Sequence, residues 1–350
     1  MDNNNIILSV IIPCYNNGNY LKEMIDCFLR QTSSNWELII VDDGSTDDTP
    51  QLIRNVIREY HQCHFFIRNR LPKGSVVCRN IGFEYAKGKY ICHLDADDLV
   101  SNTFVEHRIQ FMESHPDLDY ASFVAKVFTK GDNLPDYYTK VDDTFGDSLG
   151  KNKDLLESFL STKYAFSVWC NIYKRSSIEN IKWDENVLIY TDFSYIVSCI
   201  MGGLKHSFAN LKEVDYYYRT FSTKGNRMCN NFVSAPKCES TIYLFNNILK
   251  QLETLSDSEI RKKQFLNFHL VQLERLLQNN QIKEAYSFVD MLTNHYKKSV
   301  ISRLKLIISL SSKIGNPTFH KYTLISLYIL LFRSDKYINR VIKKLINIIG

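Results

Sequence analysis

Seven segments in the first hundred residues alternate between runs that suit a strand and runs that suit a helix, and this alternation narrows the available folds sharply. Ile6–Ile12, Trp36–Val41, His64–Arg68 and Tyr90–Leu94 read as strands, and Tyr20–Gln31, Thr49–Tyr60 and Val76–Ala86 as helices. A βαβ series of this kind predicts an α/β fold with a mainly parallel central sheet flanked by helices. Helix punctuation agrees with the parse. Asp48-Thr49-Pro50 supplies a cap and a helix-starting proline, and Gly88 ends the third helix before the strand at Tyr90. Beyond Asp98 a helix is expected around Thr103–Ser114 and a strand over Tyr120–Phe128. The polar stretch Asp132–Lys153 is expected to be a loop of the length that lids often have. From Thr241 onward, apolar residues recur at three- and four-residue spacing in Ile242–Leu252 and Phe265–Leu277, which predicts a C-terminal helical extension.

The chain's 350 residues suit an α/β core of roughly 200 residues plus that extension. Its 45% apolar and 23% charged residues are those of an ordinary soluble globular protein. Nine cysteines without a CxxC pair, with Cys14, Cys27, Cys78 and Cys92 inside predicted strands and helices, read as reduced thiols in a core. They indicate neither a disulfide framework nor a zinc site. The N-terminus lacks the basic and apolar regions of a leader, so a cytoplasmic location is expected. The net charge of +5 conceals an asymmetry. Residues 291–350 carry eleven lysines and arginines against Asp335 alone, a local +10 that leaves −5 on the rest. Such a basic, apolar-interleaved tail suits an anionic membrane surface, the inner face of the cell membrane being the obvious one, or else is a helical subdomain with solvated lysines. Its most apolar stretch, Tyr322–Phe332, is far shorter than the roughly 20 residues of a spanning helix. No nucleic-acid motif accompanies the charge.

Two acidic clusters follow short apolar runs: Asp42-Asp43-Gly44-Ser45 after Trp36–Val41, and Asp95-Ala96-Asp97-Asp98 after Tyr90–Leu94. Both therefore fall at the C-terminal ends of strands, where open α/β sheets bind ligands. Carboxylates gathered there repel one another unless a divalent cation or hydrogen bonds neutralise them, so a metal-bound, phosphate-bearing ligand is the economical reading.

Several motifs in order carry a family resemblance over about residues 6 to 225: Ser9-Val10-Ile11-Ile12-Pro13-Cys14-Tyr15-Asn16; Gln31-Thr32 with Trp36 through Ser45; Gly74, Arg79-Asn80 and Gly82; Ala86 through Tyr90; and Asp95-Ala96-Asp97-Asp98. The chain resembles the inverting family 2 glycosyltransferases of bacterial polysaccharide biosynthesis, which have the GT-A, Rossmann-like fold. The resemblance implies a nucleotide-sugar-binding half over residues 1–100, an acceptor-binding and catalytic half over 101–228, and a helical basic region over 229–350. It also implies transfer of a hexosyl or N-acetylhexosaminyl group from a UDP-sugar to a glycan or lipid-linked saccharide, aided by Mn²⁺ or Mg²⁺. The weaker alternatives are a non-catalytic sugar-nucleotide binder or assembly partner, and a nucleotidyltransferase, whose glycine- and arginine-rich phosphate loop is missing from the N-terminus.

By that resemblance Pro13 and Tyr15 shape the nucleobase pocket, with Asp43 and Ser45 beside it; a carboxylate at Asp43 would accept the imide N–H of uracil. Arg79 would pair with the diphosphate or with a site carboxylate. Asp95 is the candidate for the ribose and Asp97 the main metal ligand. Asp98 is either a second metal ligand or a cap on the helix expected to follow. The segment Trp183-Asp184-Glu185-Asn186 through Tyr190-Thr191-Asp192-Phe193 resembles the family's second-half motif, which makes Asp192 the general base. Thr191 stands where many relatives carry Glu or Gly, and Asp184 and Glu185 are fallback bases. Trp169 would either stack on a sugar or fill the core. Tyr216–Arg219 ends a strand, and Thr220–Arg227 would close over the diphosphate.

Overall fold

The computed structural model describes residues 6–129, 144–145, 154–162, 166–209, 214–220 and 234–314. The N-terminal part follows the expected alternation: β1 (Leu8–Cys14), α1 (Gly18–Leu29), β2 (Trp36–Asp42), α2 (Thr49–Ile57), β3 (Cys63–Ile67), α3 (Ser75–Tyr85) and β4 (Tyr90–His93). β1 pairs in parallel with both β2 and β4, and β2 with β3. Every residue of β1 and β2 is buried, which is why these strands read as continuous apolar runs: helices cover both faces of a parallel sheet.

The chain continues through β5 (Leu99–Val100), α4 (Phe104–Ser114), β6 (Tyr120–Ser122), β7 (Ala125–Thr129), β8 (Thr144–Phe145), α5 (Leu155–Leu160), β9 (Asn171–Lys174), α6 (Thr191–Met201), β10 (His206–Phe208) and β11 (Tyr216–Thr220). A seven-stranded sheet runs β10-β6-β9-β4-β1-β2-β3, and a four-stranded sheet runs β5-β11-β7-β8. β9 lies antiparallel between β4 and β6, so the segments before and after residue 100 share one sheet. The single strand expected over Tyr120–Phe128 is two. Phe123 donates its amide to the Cys170 carbonyl at 2.9 Å, and from Ala125 the chain pairs with β11 in the smaller sheet. Within the stretch read as a lid, Thr144–Phe145 pairs with β7; the remainder lies outside the described residues.

The chain divides into two compact units, one of residues 1–159 and 163–227 and the other of 160–162 and 228–350. The second unit contains α7 (Ala235–Leu252), α8 (Ser258–Gln278), α9 (Ile282–Met291) and α10 (Lys298–Ile314). Phe245, Phe265, Phe268 and Phe288 form its ring cluster, with neighbouring centroids 4.9–6.0 Å apart. No helix among the described residues is long and apolar enough to cross a membrane. Most of the basic tail, including 322–332, lies outside the described residues. Among the described residues eight cysteines are free and buried, as expected of core thiols.

Gly82 positions the site from a distance. A Cβ there would collide with the Ile11 side chain, so glycine lets α3 lie directly on β1. Gly82→Ala is therefore expected to destabilise the α/β unit by about 1–3 kcal/mol through overpacking, after alanine's helix preference of about 1 kcal/mol is counted. The three tryptophans, Trp36, Trp169 and Trp183, all lie in this unit, so fluorescence-detected urea unfolding reports it; an unchanged midpoint would contradict the packing account.

Candidate active site

The loops leaving β1 and β2 are tied together at the C-terminal edge of the sheet. Asp43 N donates to the Cys14 carbonyl at 2.8 Å, Asn16 N to Ser45 Oγ at 2.9 Å, and Thr46 N to Asn16 Oδ1 at 2.8 Å. Asp42 accepts the amides of Gly44 and Ser45 and the Ser45 hydroxyl, shaping a turn in which Gly44 takes φ +82°. This network brings Pro13, Tyr15, Asp43 and Ser45 to one place, with Ser45 acting on the loop itself. Tyr15 is 44% exposed, with the Lys73 ammonium 3.5 Å over its ring. Asp43 Oδ1 accepts from Arg68 Nε at 2.6 Å, Gly74 N at 3.1 Å and Cys78 Sγ at 3.8 Å. Among the described residues its Oδ2 takes no hydrogen bond, which leaves an acceptor for an N–H donor.

One strand further along, α3 delivers Arg79 to the second acidic cluster. Its guanidinium donates to Asp95 Oδ1 at 2.6 Å and lies 4.7 Å over the Trp183 ring. Among the described residues Arg79 Nε is buried without a hydrogen-bond partner. The neighbouring Asn80 fastens α3 to the second half of the chain through Trp183 N and O and Glu185 Oε1, at 2.8–3.0 Å.

The two outer aspartates of the cluster have different surroundings. Asp98 is fully buried and accepts the Tyr216 hydroxyl on one oxygen and Arg219 N, at 2.7 Å, on the other. It thereby pins the acidic turn to β11. It caps no helix, because β5 follows it and α4 begins only at Phe104. Burial, together with Asp95 and Asp97, pushes its carboxyl well up. Asp95 keeps 35% of its side chain accessible, yet its carboxyl is pushed up to about 6: enclosure is the largest cause, the Arg79 guanidinium pulls the other way, and the negative charges of Asp192 and Asp97 add to the rise. Asp192 and Asp97 thus act on Asp95 from opposite halves of the chain.

Asp192 lies in the first turn of α6, where a carboxylate is favoured by the helix dipole, and Ser167 Oγ donates to its Oδ2 at 2.6 Å. The fallback bases are otherwise engaged. Glu185 is clamped by Arg70 at 2.5–2.6 Å and by Asn80, and Arg70 holds its carboxyl below the usual range; Asp184 accepts Asn186 N at 3.0 Å in its own turn. Trp169 is a core residue, 4% exposed and stacked on Tyr216 and Tyr218 at 4.9 and 5.2 Å.

Arg219 was visible in sequence only as a cation at a strand end. Folded, it is 5% exposed, donates from Nε to the Asp97 carbonyl at 2.5 Å and from Nη2 to Glu23 at 2.5 Å, and so holds the acidic turn's backbone. Arg68 and Lys73, flanking Asp43 and Tyr15, were likewise missed: Arg68 ends the strand expected over His64–Arg68, and Lys73 lies in the loop after it. Nothing in the sequence marks Ser167. Residues 221–227 lie outside the described residues.

Among the described residues no group of three or more His, Cys, Asp or Glu could hold a metal ion by itself. A divalent cation nevertheless fits the electrostatics, because Asp95, Asp97 and Asp192 crowd negative charge with Arg79 as the cation bonded to Asp95. The raised Asp95 pKa has a defined consequence. Between the ordinary carboxylate value of 3.8 and about 6 the folded state holds the extra proton, so this group's contribution to stability falls as pH rises through that window. The Tm of Asp95→Asn relative to the parent is therefore expected to be higher at pH 7.5 than at pH 4. Equal differences at the two pH values would remove the electrostatic account.

Comparison with known proteins bears on the family and the fold. The family model "Glycosyl transferase family 2" matches residues 9–182. The chain is 28% identical over 286 residues to an Escherichia coli protein described as UDP-Glc:alpha-D-GlcNAc-diphosphoundecaprenol beta-1,3-glucosyltransferase WfaP, covering 81% of this chain and 98% of that one. Among solved structures, S. aureus TarS 1-349 in complex with UDP-GlcNAc superposes with a TM-score of 0.67 at 17% identity, over 94% of both chains. The mannosyltransferase PcManGT from Pyrobaculum calidifontis, in complex with GDP-Man and Mn²⁺, superposes with a TM-score of 0.52 at 16% identity, over 92% of this chain and 86% of that one. With its mostly parallel sheet, its motif order and these relatives, the chain is a family 2 glycosyltransferase of the GT-A fold.

Proposed function

We propose that this enzyme transfers a sugar from a UDP-sugar to a glycan or lipid-linked saccharide acceptor in surface polysaccharide synthesis, with inversion at the anomeric carbon and with the help of Mn²⁺ or Mg²⁺. The observation that carries the reading is the convergence of Asp95, Asp97 and Asp192 at one sheet edge, next to an Asp43 oxygen open to an N–H donor. Uracil presents such an imide N–H, WfaP is described as using UDP-Glc, and the TarS structure holds UDP-GlcNAc. The diphosphoundecaprenol-linked acceptor in the description of WfaP supports a lipid-linked acceptor here.

In this reading Pro13 and Tyr15 frame the base, Asp95 meets the ribose, Arg79 holds the diphosphate, and Asp97 is the ion's main protein ligand. Asp98 supports Asp97 from behind. The ion, when bound, would neutralise charge on the departing diphosphate. Asp192 accepts the proton of the acceptor hydroxyl as that oxygen bonds to the anomeric carbon; the bond from that carbon to the diphosphate oxygen breaks on the opposite face and its electron pair leaves with UDP. Buried Arg79, already fixed by Asp95 and Trp183, needs no reorganisation to meet the leaving group.

Thermal shift tests this directly, since a ligand present at a hundred times its Kd stabilises the native state by about 2.7 kcal/mol. UDP with MnCl₂ is expected to raise Tm more than UDP alone and more than GDP with MnCl₂, and Asp97→Ala is expected to abolish the manganese-dependent part. A larger shift with GDP would overturn the uridine reading, and a full manganese effect in Asp97→Ala would overturn that residue's role.

A further inference from the structure

The proposed base pocket is bordered by a segment that has no apolar anchor of its own. None of residues 68–74 is buried, and Leu71 in the middle is 79% exposed. The two ends are fastened to one carboxylate oxygen: Arg68 Nε and Gly74 N both donate to Asp43 Oδ1, at 2.6 and 3.1 Å. Between them, Arg68 Nη1 donates to the Arg70 carbonyl, and the Lys73 ammonium lies 3.5 Å over the Tyr15 ring. A strap of exposed residues keeps one conformation only where polar fastenings offset its entropy, so whatever fixes Arg70 also fixes the guanidinium that orients Asp43.

Arg70 is fixed from the second half of the chain. Its Nη1 donates to Glu185 Oε2 at 2.6 Å and its Nη2 to Glu185 Oε1 at 2.5 Å, a fork whose two bonds set orientation as well as position. Glu185 is held in turn, because Asn80 Nδ2 donates to its Oε1 at 2.8 Å and to the Trp183 carbonyl at 2.9 Å. Trp183 N donates back to Asn80 Oδ1 at 3.0 Å. Asp43, Arg68, Arg70, Glu185 and Asn80 thus form one chain of contacts from the base edge to α3.

This chain of contacts bears on which base is accepted. With Asp43 Oδ1 taken from both ends of the strap, Oδ2 is the oxygen left to accept, and its direction is set. Uracil offers an imide N–H to such an oxygen, whereas cytosine has a lone pair at that ring atom and its donor amine on the neighbouring carbon. A carboxylate held still rejects cytosine; one free to turn can reach the amine. On the uridine reading of the donor site, we infer that Arg70 and Glu185 are positioning residues for base selection. Their ion pair holds the 68–74 strap, and through Arg68 the Asp43 carboxylate, in the orientation that favours uracil over cytosine.

The test is calorimetric titration of the full chain in MnCl₂ with UDP and with CDP. The parent is expected to bind UDP about tenfold or more tighter, the worth of a hydrogen bond to a charged acceptor. Arg70→Met keeps the length of the side chain and loses the fork, while Glu185→Gln keeps the Asn80 bond and loses the charge. Each is expected to lower the preference by about threefold or more, because the carboxylate is no longer preorganised. The double variant is expected to select no worse than the poorer single variant, since the two residues act as one unit. Both side chains reach solvent, at 38% and 25% exposure, so the variants are expected to fold; should Arg70→Met fail to, Glu185→Gln decides alone. An unchanged preference in the folded variants, or UDP and CDP weakened equally, would overturn the positioning role and leave the uridine reading in place. A parent that prefers CDP or GDP would overturn the uridine reading, and the positioning role would then stand only if both variants lowered that other preference. A parent without any preference would overturn both.

Discussion

Asp192→Asn is expected to lower the transfer rate by about 10²–10⁴-fold, the range general-base catalysis contributes, with UDP affinity nearly unchanged. Asparagine keeps the shape and can still accept the Ser167 hydroxyl, but it cannot take a proton from the acceptor. Helix α6 and its first turn should therefore persist while the chemistry fails. A second readout separates this from a structural defect. The charge of Asp192 helps to push Asp95 up to about 6, so its removal should lower the Asp95 pKa and shift any acid limb of UDP and metal binding to lower pH. Transfer at the parental rate would remove Asp192 as the base. Loss of UDP binding along with transfer would place it in the donor site instead.

Asp215→Ala is expected to destabilise the α/β unit by about 3–5 kcal/mol, the cost of stranding a buried charge. Arg108 is wholly buried and donates to both Asp215 oxygens, at 2.9 and 3.0 Å, and to the carbonyls of Trp169 and Asn171 at 3.2 Å. Without the carboxylate those carbonyls are the main compensation left for the guanidinium. The damage should extend to activity, because Asp215 directly precedes β11, whose Tyr216 and Arg219 hold Asp98. Urea unfolding followed by tryptophan fluorescence measures the loss. The paired replacement Arg108→Met with Asp215→Leu should recover most of it, since apolar residues of similar volume often match a buried ion pair. A loss below about 1 kcal/mol for Asp215→Ala would mean that water or a rearranged partner reaches Arg108.

How legible each part was depended on whether its cause is local. The β1-to-β4 series was readable because a fully buried strand carries long apolar runs, as in Val10-Ile11-Ile12 and Leu38-Ile39-Ile40, and each helix keeps one apolar face at three- and four-residue spacing, as in Leu21, Met24, Ile25 and Phe28. Bounds moved only slightly, as with β1, which runs Leu8–Cys14 instead of Ile6–Ile12. The acidic clusters were readable as ligand-edge carboxylates because their distance from the preceding strands is a matter of sequence alone. The division of Tyr120–Phe128 between two sheets was not, because the apolar pattern continues through Phe123 while its hydrogen-bonding partner changes from β9 to β11. Nor was the difference between Asp97 and Asp98: adjacent and chemically identical, they are separated by the arrival of Tyr216 and Arg219 from more than a hundred residues away.

The sequence by itself determined the α/β class, the parallel core, the helical extension and the edge at which the acidic residues gather, since all of these follow from short-range periodicity and residue type. Only the tertiary structure decided what each carboxylate does. Asp98 is an anchor, Glu185 is neutralised by Arg70, Trp169 is core, and Asp95 holds its proton more tightly because it is enclosed, with the charges of Asp192 and Asp97 adding to the effect. Charge and hydrogen bonding act through space, between groups brought together by strand order and crossover, and no local pattern in the chain records which groups will meet.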